Sequence, residues 1–170
     1  MKKPEQNSQQ GLVDEIVGRL MRRNSTAAVL FHHAVAERLG LGPTDHKCFD
    51  VLRERGEMTG SEMAAITGLT TGAITGVVAR LERAGCLHRE PDPHDGRKQK
   101  LRPAKERAPD IHAVFEPIKN DMAELLKNFD TRQLAAIAEF LTLGTDLIYR
   151  HAALLRAHKF SGASAHGVPE

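Results

Sequence analysis

Three groups of residues have the types and spacing to do chemistry. The first is a charged turn. Glu90-Pro91-Asp92-Pro93-His94-Asp95-Gly96-Arg97-Lys98 lies between two short strand-like runs. Residues 97–107 carry six basic side chains (Arg97, Lys98, Lys100, Arg102, Lys105 and Arg107) against one acid, Glu106. The whole chain has a net charge of only +2. A basic block on a near-neutral protein marks a local site for an anionic partner rather than a general stickiness. Side chains alternate along a strand, so Lys98, Lys100 and Arg102 share one face. Arg97, at the tip, is placed to reach a narrow groove of high negative potential or the phosphates beside it.

The second group precedes that turn. Thr70, Thr71, Gly72, Ala73, Thr75 and Gly76 open a predicted helix with a row of small residues. Such a surface lets a backbone come close to a duplex. Thr71 and Thr75 offer hydroxyls to phosphate or base edges and methyls to thymine methyls. Arg80, further along, is placed to reach a phosphate. Two glycines in one short helix cost about 1 kcal/mol each against alanine. Groove entry is a gain that offsets this cost.

The third group is nine histidines and two cysteines. His32 and His33 are adjacent, so on a helix they point about 100° apart and do not readily share an ion. No local spacing has the form of a metal site, and none is expected. Phe31, His32, His33, His46 and His112 are instead candidates to line a ligand cleft. Cys48 and Cys86 form no CxxC pair and fit a reducing compartment. Buried, each would act as a small hydrophobe. A nucleophile elbow, P-loop, dinucleotide fingerprint and HExxH are all missing, so neither an enzyme nor a cofactor is expected.

The elements that must position these groups are mostly helical. Aromatic residues are 4 % of the chain and Trp is absent, leaving Leu, Ile, Val, Met and Ala to pack the core. Apolar spacing predicts a helix over residues 12–39, ended by Gly40 and Gly42, and a second capped by Thr44. Thr59-Gly60-Ser61-Glu62 has the form of a capping box. It opens a short helix over 61–67, terminated by Gly68. Thr70 caps the next helix, over 71–84, and Gly85 closes it. Residues 86–90 and 99–102 are strands, with Asp95-Gly96 turning between them. Helices follow over 105–128 and 131–159, with Pro109 and Pro117 setting a late start or a kink in the first. The first and last helices are apolar over wide arcs, more than one small chain can bury, which implies a dimer interface built from both ends.

The fold class is therefore mainly α (α+β). Residues 1–10 and 160–170 are polar tails, 11–42 a dimerisation helix, 43–103 a winged helix-turn-helix, and 104–159 further dimerisation helices. No run approaches the ~20 apolar residues of a membrane span. With a polar start, this gives a cytoplasmic expectation and no membrane partner.

Residues 44–103 resemble the winged helix-turn-helix of the MarR family of transcriptional regulators. The resemblance is carried by Leu81-Glu82-Arg83-Ala84-Gly85-Cys86-Leu87, by Arg89, and by Asp92-Pro93-His94-Asp95-Gly96-Arg97-Lys98. With the flanking helices it extends over about residues 11–158. It implies a homodimer on a pseudo-palindromic site in double-stranded DNA, acting as a repressor relieved by a small aromatic or phenolic effector. The effector would bind between the dimer region and the winged unit. Thr70, Thr71, Gly72, Ala73, Thr75, Gly76, Arg80, His94, Arg97, Lys98 and Lys100 are the expected DNA contacts. Gly76 stands where many members carry a base-contacting side chain, and Pro103 stands near a Thr that usually starts the following helix. Two alternatives share the fold: a dimeric sensor of metal or redox state, and an interaction module without sequence-specific DNA binding.

Overall fold

The computed structural model describes residues 8–93, 95 and 99–162. The chain begins with α1 (Gln9–Glu15), which passes through a π-helical turn at Ile16–Leu20 into α2 (Met21–Arg38). Ser8 starts this run earlier than the apolar pattern implied, its hydroxyl accepting from Gly11 N at 3.1 Å. α3 spans Pro43–Arg55. Its N-cap is Gly42 rather than Thr44, because Pro43 has the fixed φ of a first helical residue and no N–H to satisfy there.

A two-residue strand, β1 (Met58–Thr59), precedes α4 (Gly60–Thr67). It is too short to show a sequence pattern. The capping box forms as expected: Glu62 N donates to Thr59 Oγ1 at 3.2 Å, and Thr59 N donates to the Glu62 carboxylate at 2.6 Å. α5 (Thr71–Arg83) follows, then β2 (Leu87–Pro91) and β3 (Gln99–Pro103). The antiparallel sheet has the order β1-β3-β2, with Met58 opposite Leu101 and Arg89 also opposite Leu101 on the other side. Pro91 thus sits on an edge strand, where a missing N–H is tolerated.

Residues 105–107 form a 3₁₀ turn rather than the start of a long helix; Pro109 is near the first position of α6 (Ala108–Leu126). Pro117 lies inside α6, which continues past it. α7 (Thr131–Gly162) is capped by a reciprocal pair: Gln133 N donates to Asp130 Oδ1, and Asp130 N to Gln133 Oε1. No single described helix is long and apolar enough to cross a membrane.

The core joins Phe49 and Leu52 of α3, Met63 of α4, Val77 and Leu81 of α5, Leu87 and Leu101 of the sheet, and Val35 of α2. Among the described residues, the buried apolar side chains fall between Val35 and Ile111. Outside that span large apolar side chains stay exposed, among them Val17, Phe140, Leu143, Ile148 and Leu155.

Two polar contacts tie α7 to the winged unit. Tyr149 Oη donates to Glu54 Oε2 at 3.0 Å. Arg156 Nη1 donates to Ile66 O at 2.6 Å and Ala65 O at 3.2 Å, meeting carbonyls left open at the C-terminal end of α4. Gly68 ends that helix at φ +74°, and a Cβ there would lie 2.6 Å from Arg156 Cδ. The left-handed geometry alone costs an alanine about 1–2 kcal/mol. Gly68→Ala is therefore expected to lower the unfolding free energy by at least that amount, read as a lower urea midpoint at unchanged slope. An unchanged midpoint would show that the α4–α5 turn tolerates both the strain and the displaced Arg156.

Candidate nucleic-acid interface and ligand cleft

Thr70, Thr71, Gly72, Ala73 and Thr75 are exposed at the N-terminal end of α5, while Ile74, Val77, Val78 and Leu81 are buried on its other face. This division follows from the helical period of the apolar residues. Thr70 accepts from Ala73 N at 3.2 Å, which fixes the start of the helix. The Thr75 hydroxyl donates to Thr71 O at 2.9 Å, so toward an incoming ligand it is left as an acceptor. Around Gly72 nothing lies within 4 Å of where a Cβ would stand.

Arg80 is not a free cation waiting for a phosphate. Its guanidinium grips Asp45 of α3 in a fork, Nε to Oδ2 at 2.8 Å and Nη2 to Oδ1 at 2.7 Å. Asp45 is buried, whereas the Arg80 side chain is half exposed. The pair therefore positions α5 against α3. A Cβ at Gly76 would lie 3.3 Å from Arg80 Nη1, so that the guanidinium would have to give by a few tenths of an ångström.

On the hairpin, Lys100 and Arg102 do share a face, and both reach Glu57: Lys100 Nζ at 2.5 Å and Arg102 Nη2 at 2.7 Å. Arg102 Nε is also 3.3 Å from Glu90. Hydrogen bonding to Lys100 is the main reason the Glu57 carboxyl is held below its ordinary range. Lys100 is thus already paired within the chain, with further N–H groups of its ammonium still available. The expected contacts His94, Arg97 and Lys98 lie outside the described residues.

A cleft of about 490 Å³ opens between α2 and α3, and His32, His33 and His46 line it together with Val29, Cys48 and Leu69. Phe31 is not in the lining but backs it, edge-on to His32 and to Phe115 with ring centroids 5.7 Å apart in both cases. His112 is exposed and is not among the lining residues, because its neighbour Ile111 takes the buried face of α6. Asp50 was not singled out in the sequence, yet it lies at the centre of this histidine group. Its Oδ2 is 3.4 Å from His32 Nδ1 and 3.5 Å from His46 Nδ1. The i, i+4 spacing of His46 and Asp50 was readable; the approach of His32 from another helix was not. Burial, chiefly, pushes the His46 imidazole below its ordinary range, with Asp50 pulling the other way.

Both cysteines are free and buried. Burial, helped by Asp45 and opposed by Arg80, pushes the Cys48 thiol up to about 11; burial also raises Cys86, against the pull of Arg107. Neither environment favours a reactive thiolate.

Small exposed residues opening α5, packed beside a β-hairpin, define a winged helix-turn-helix. The sequence pattern of the MarR family matches residues 39–98. An uncharacterised HTH-type transcriptional regulator, YcgE of Bacillus subtilis (strain 168), is 39 % identical over 129 residues, covering 76 % of this chain and 84 % of that protein. The chain belongs to the MarR family. Apo MarR from E. coli has the same fold, with TM-score 0.54 and 21 % identity over 74 % of this chain and 93 % of that one. So does the Thermotoga maritima regulator Tm0710, with TM-score 0.55 and 23 % identity over 82 % and 98 %. A MarR variant from E. coli complexed with operator DNA matches with TM-score 0.51 and 22 % identity over 77 % and 96 %.

A raised thiol contributes stability below its unfolded value near 9, and that contribution is lost as pH rises through about 11. At pH 8, alkylation of Cys48 should therefore be slower in the folded protein than in urea by more than about a hundredfold. Equal rates would show an ionised, accessible thiol and revive a redox role.

Proposed function

We propose that this chain is a homodimeric transcriptional regulator that binds a pseudo-palindromic site in double-stranded DNA and releases it on binding a small ligand. The single observation that carries the DNA reading is the exposed, small-residue first turn of α5 beside a basic hairpin, on a chain of this family. A helix N-terminus favours anionic groups through its unpaired N–H groups and dipole. Thr70, Thr71, Gly72, Ala73, Thr75 and Gly76 give that end a low profile, so its backbone enters the major groove closely. Arg97, Lys98 and His94 meet the flanking backbone or the minor groove.

Binding releases counterions as lysine and arginine neutralise phosphates, so affinity falls with salt. Exposed apolar residues on α1, α2 and α7 support pairing with a second copy. Two α5 helices then address half-sites about 34–36 Å apart. The cleft beside His32, His33 and His46, backed by Phe31, suits a small aromatic or phenolic effector. Because it separates α2 from α3, a ligand favouring one spacing of these helices shifts the population toward or away from the DNA-competent form. The protein acts in the cytoplasm by binding, with no turnover of substrate.

One observation favours a second reading. Arg80, Lys100 and Arg102 are all engaged by acids of the same chain. An interaction module that no longer reads DNA would also keep its cations paired internally.

DNA selected from a random pool separates the two readings. With the selected duplex, Arg97→Ala should weaken binding and reduce the salt slope by about 1 while leaving the oligomeric state unchanged. An unaltered slope would remove the wing tip from the contact, and failure to select any duplex would favour the interaction module.

A further inference from the structure

His32, His46 and Asp50 have features that neither DNA binding nor an aromatic effector uses. His32 comes from α2, while His46 and Asp50 stand one turn apart on α3. One donor atom from each lies within 4.8 Å of the other two. His46 is only 2 % exposed, and its ring centroid is 5.4 Å from that of His32. Both His32 Nδ1 and Asp50 Oδ2 are buried without a hydrogen-bond partner. Their separation, like that from His46 Nδ1 to the same oxygen, is longer than an ordinary hydrogen bond. Buried polar atoms left in this condition are costly.

Two of the three spacings match a tetrahedral ion. With ligands at about 2.0–2.1 Å, neighbouring donor atoms in such a site stand ~3.3 Å apart. The two contacts of Asp50 Oδ2, 3.4 and 3.5 Å, are close to edges of that tetrahedron. Two neutral imidazoles and one carboxylate form a borderline donor set suited to a zinc-like divalent cation, with a fourth position left for water or another ligand. We infer that His32, His46 and Asp50 bind one divalent transition-metal ion of the zinc class, at the wall of the cleft between α2 and α3.

The ligands span two elements, so the ion fixes the long N-terminal helix against the first helix of the winged unit. Lys47 Nζ, 3.5 Å from Asp50 Oδ2 and largely exposed, is the cation that competes for that oxygen; it has room to swing into solvent. His33 lines the same cleft but is absent from the triad. The site stands on this geometry alone and does not depend on the DNA-binding reading.

The test uses the full chain, stripped with a chelator and titrated with Co²⁺ and then with Zn²⁺ against a competing chromophoric chelator. One ion should bind per chain, and Co²⁺ should give the intense visible absorption of a four-coordinate site. His32→Ala and Asp50→Asn should each weaken binding by more than about tenfold, since even outer partners of metal ligands are worth that much. His33→Ala should bind as the parent does. If Asp50→Asn does not fold, judged by far-ultraviolet circular dichroism, the partly exposed His32 decides the matter. No stoichiometric binding by the parent, or equal binding by the His32 variant, would overturn the site.

Discussion

The constraint on which the structure depends is where apolar surface can be buried. The closed core runs from Val35 to Ile111 and belongs to the winged unit and the helix ends that touch it. Beyond it, α1, the π-helical turn and much of α2 and α7 present large apolar side chains to solvent. At roughly 25 cal/mol per Å² of apolar surface, leaving such faces in water forgoes much of the stabilisation available to a chain this size. The winged unit closes on its own; the long helices need a partner. The proposed second copy would satisfy that need symmetrically and would set the distance between two recognition helices.

Electrostatics within the winged unit follow a related economy of pairing. Arg80 is bound to Asp45, and Lys100 and Arg102 to Glu57. These acids keep the recognition helix and the hairpin in register while the protein is free. Exposed ion pairs are worth little individually, so a phosphate can displace Glu57 at small cost. Asp45 differs because it is buried, and losing Arg80 would strand its charge. The Arg80–Asp45 pair thus aligns α5 on α3, and in the proposed complex the first turn of α5 is the part that meets the DNA. The small residue at Gly76 keeps that alignment free of strain.

Much of this was legible in the sequence because it rests on local rules. The Thr59–Glu62 capping box, the Thr70 cap and the left-handed Gly68 are each fixed by a few adjacent residues; the two strands of the hairpin were also readable, while its Gly96 turn residue lies outside the described residues. Pro43 overruled Thr44 as the start of α3, since proline fits the first helical position and leaves the adjacent Thr44 inside the helix. The strand at Met58–Thr59 was invisible because its partner, Leu101 with Lys100, lies more than forty residues away. Long-range pairing also hid the tasks of Arg80 and Lys100, which in the sequence looked like free cations. The cleft was half readable: three of its histidines gather, His112 stays apart, and Asp50 joins them only through the packing of α2 on α3.

In the proposed dimer, the two ends of the chain form the interface between copies. Sedimentation equilibrium of the full chain at micromolar concentration addresses it directly. A dimer would run as a single species of twice the 18.7 kDa chain mass, with no folded monomer on dilution to that range. A stable, folded monomer at the same concentration would contradict it, because the exposed faces of α1, α2 and α7 would then be covered by nothing.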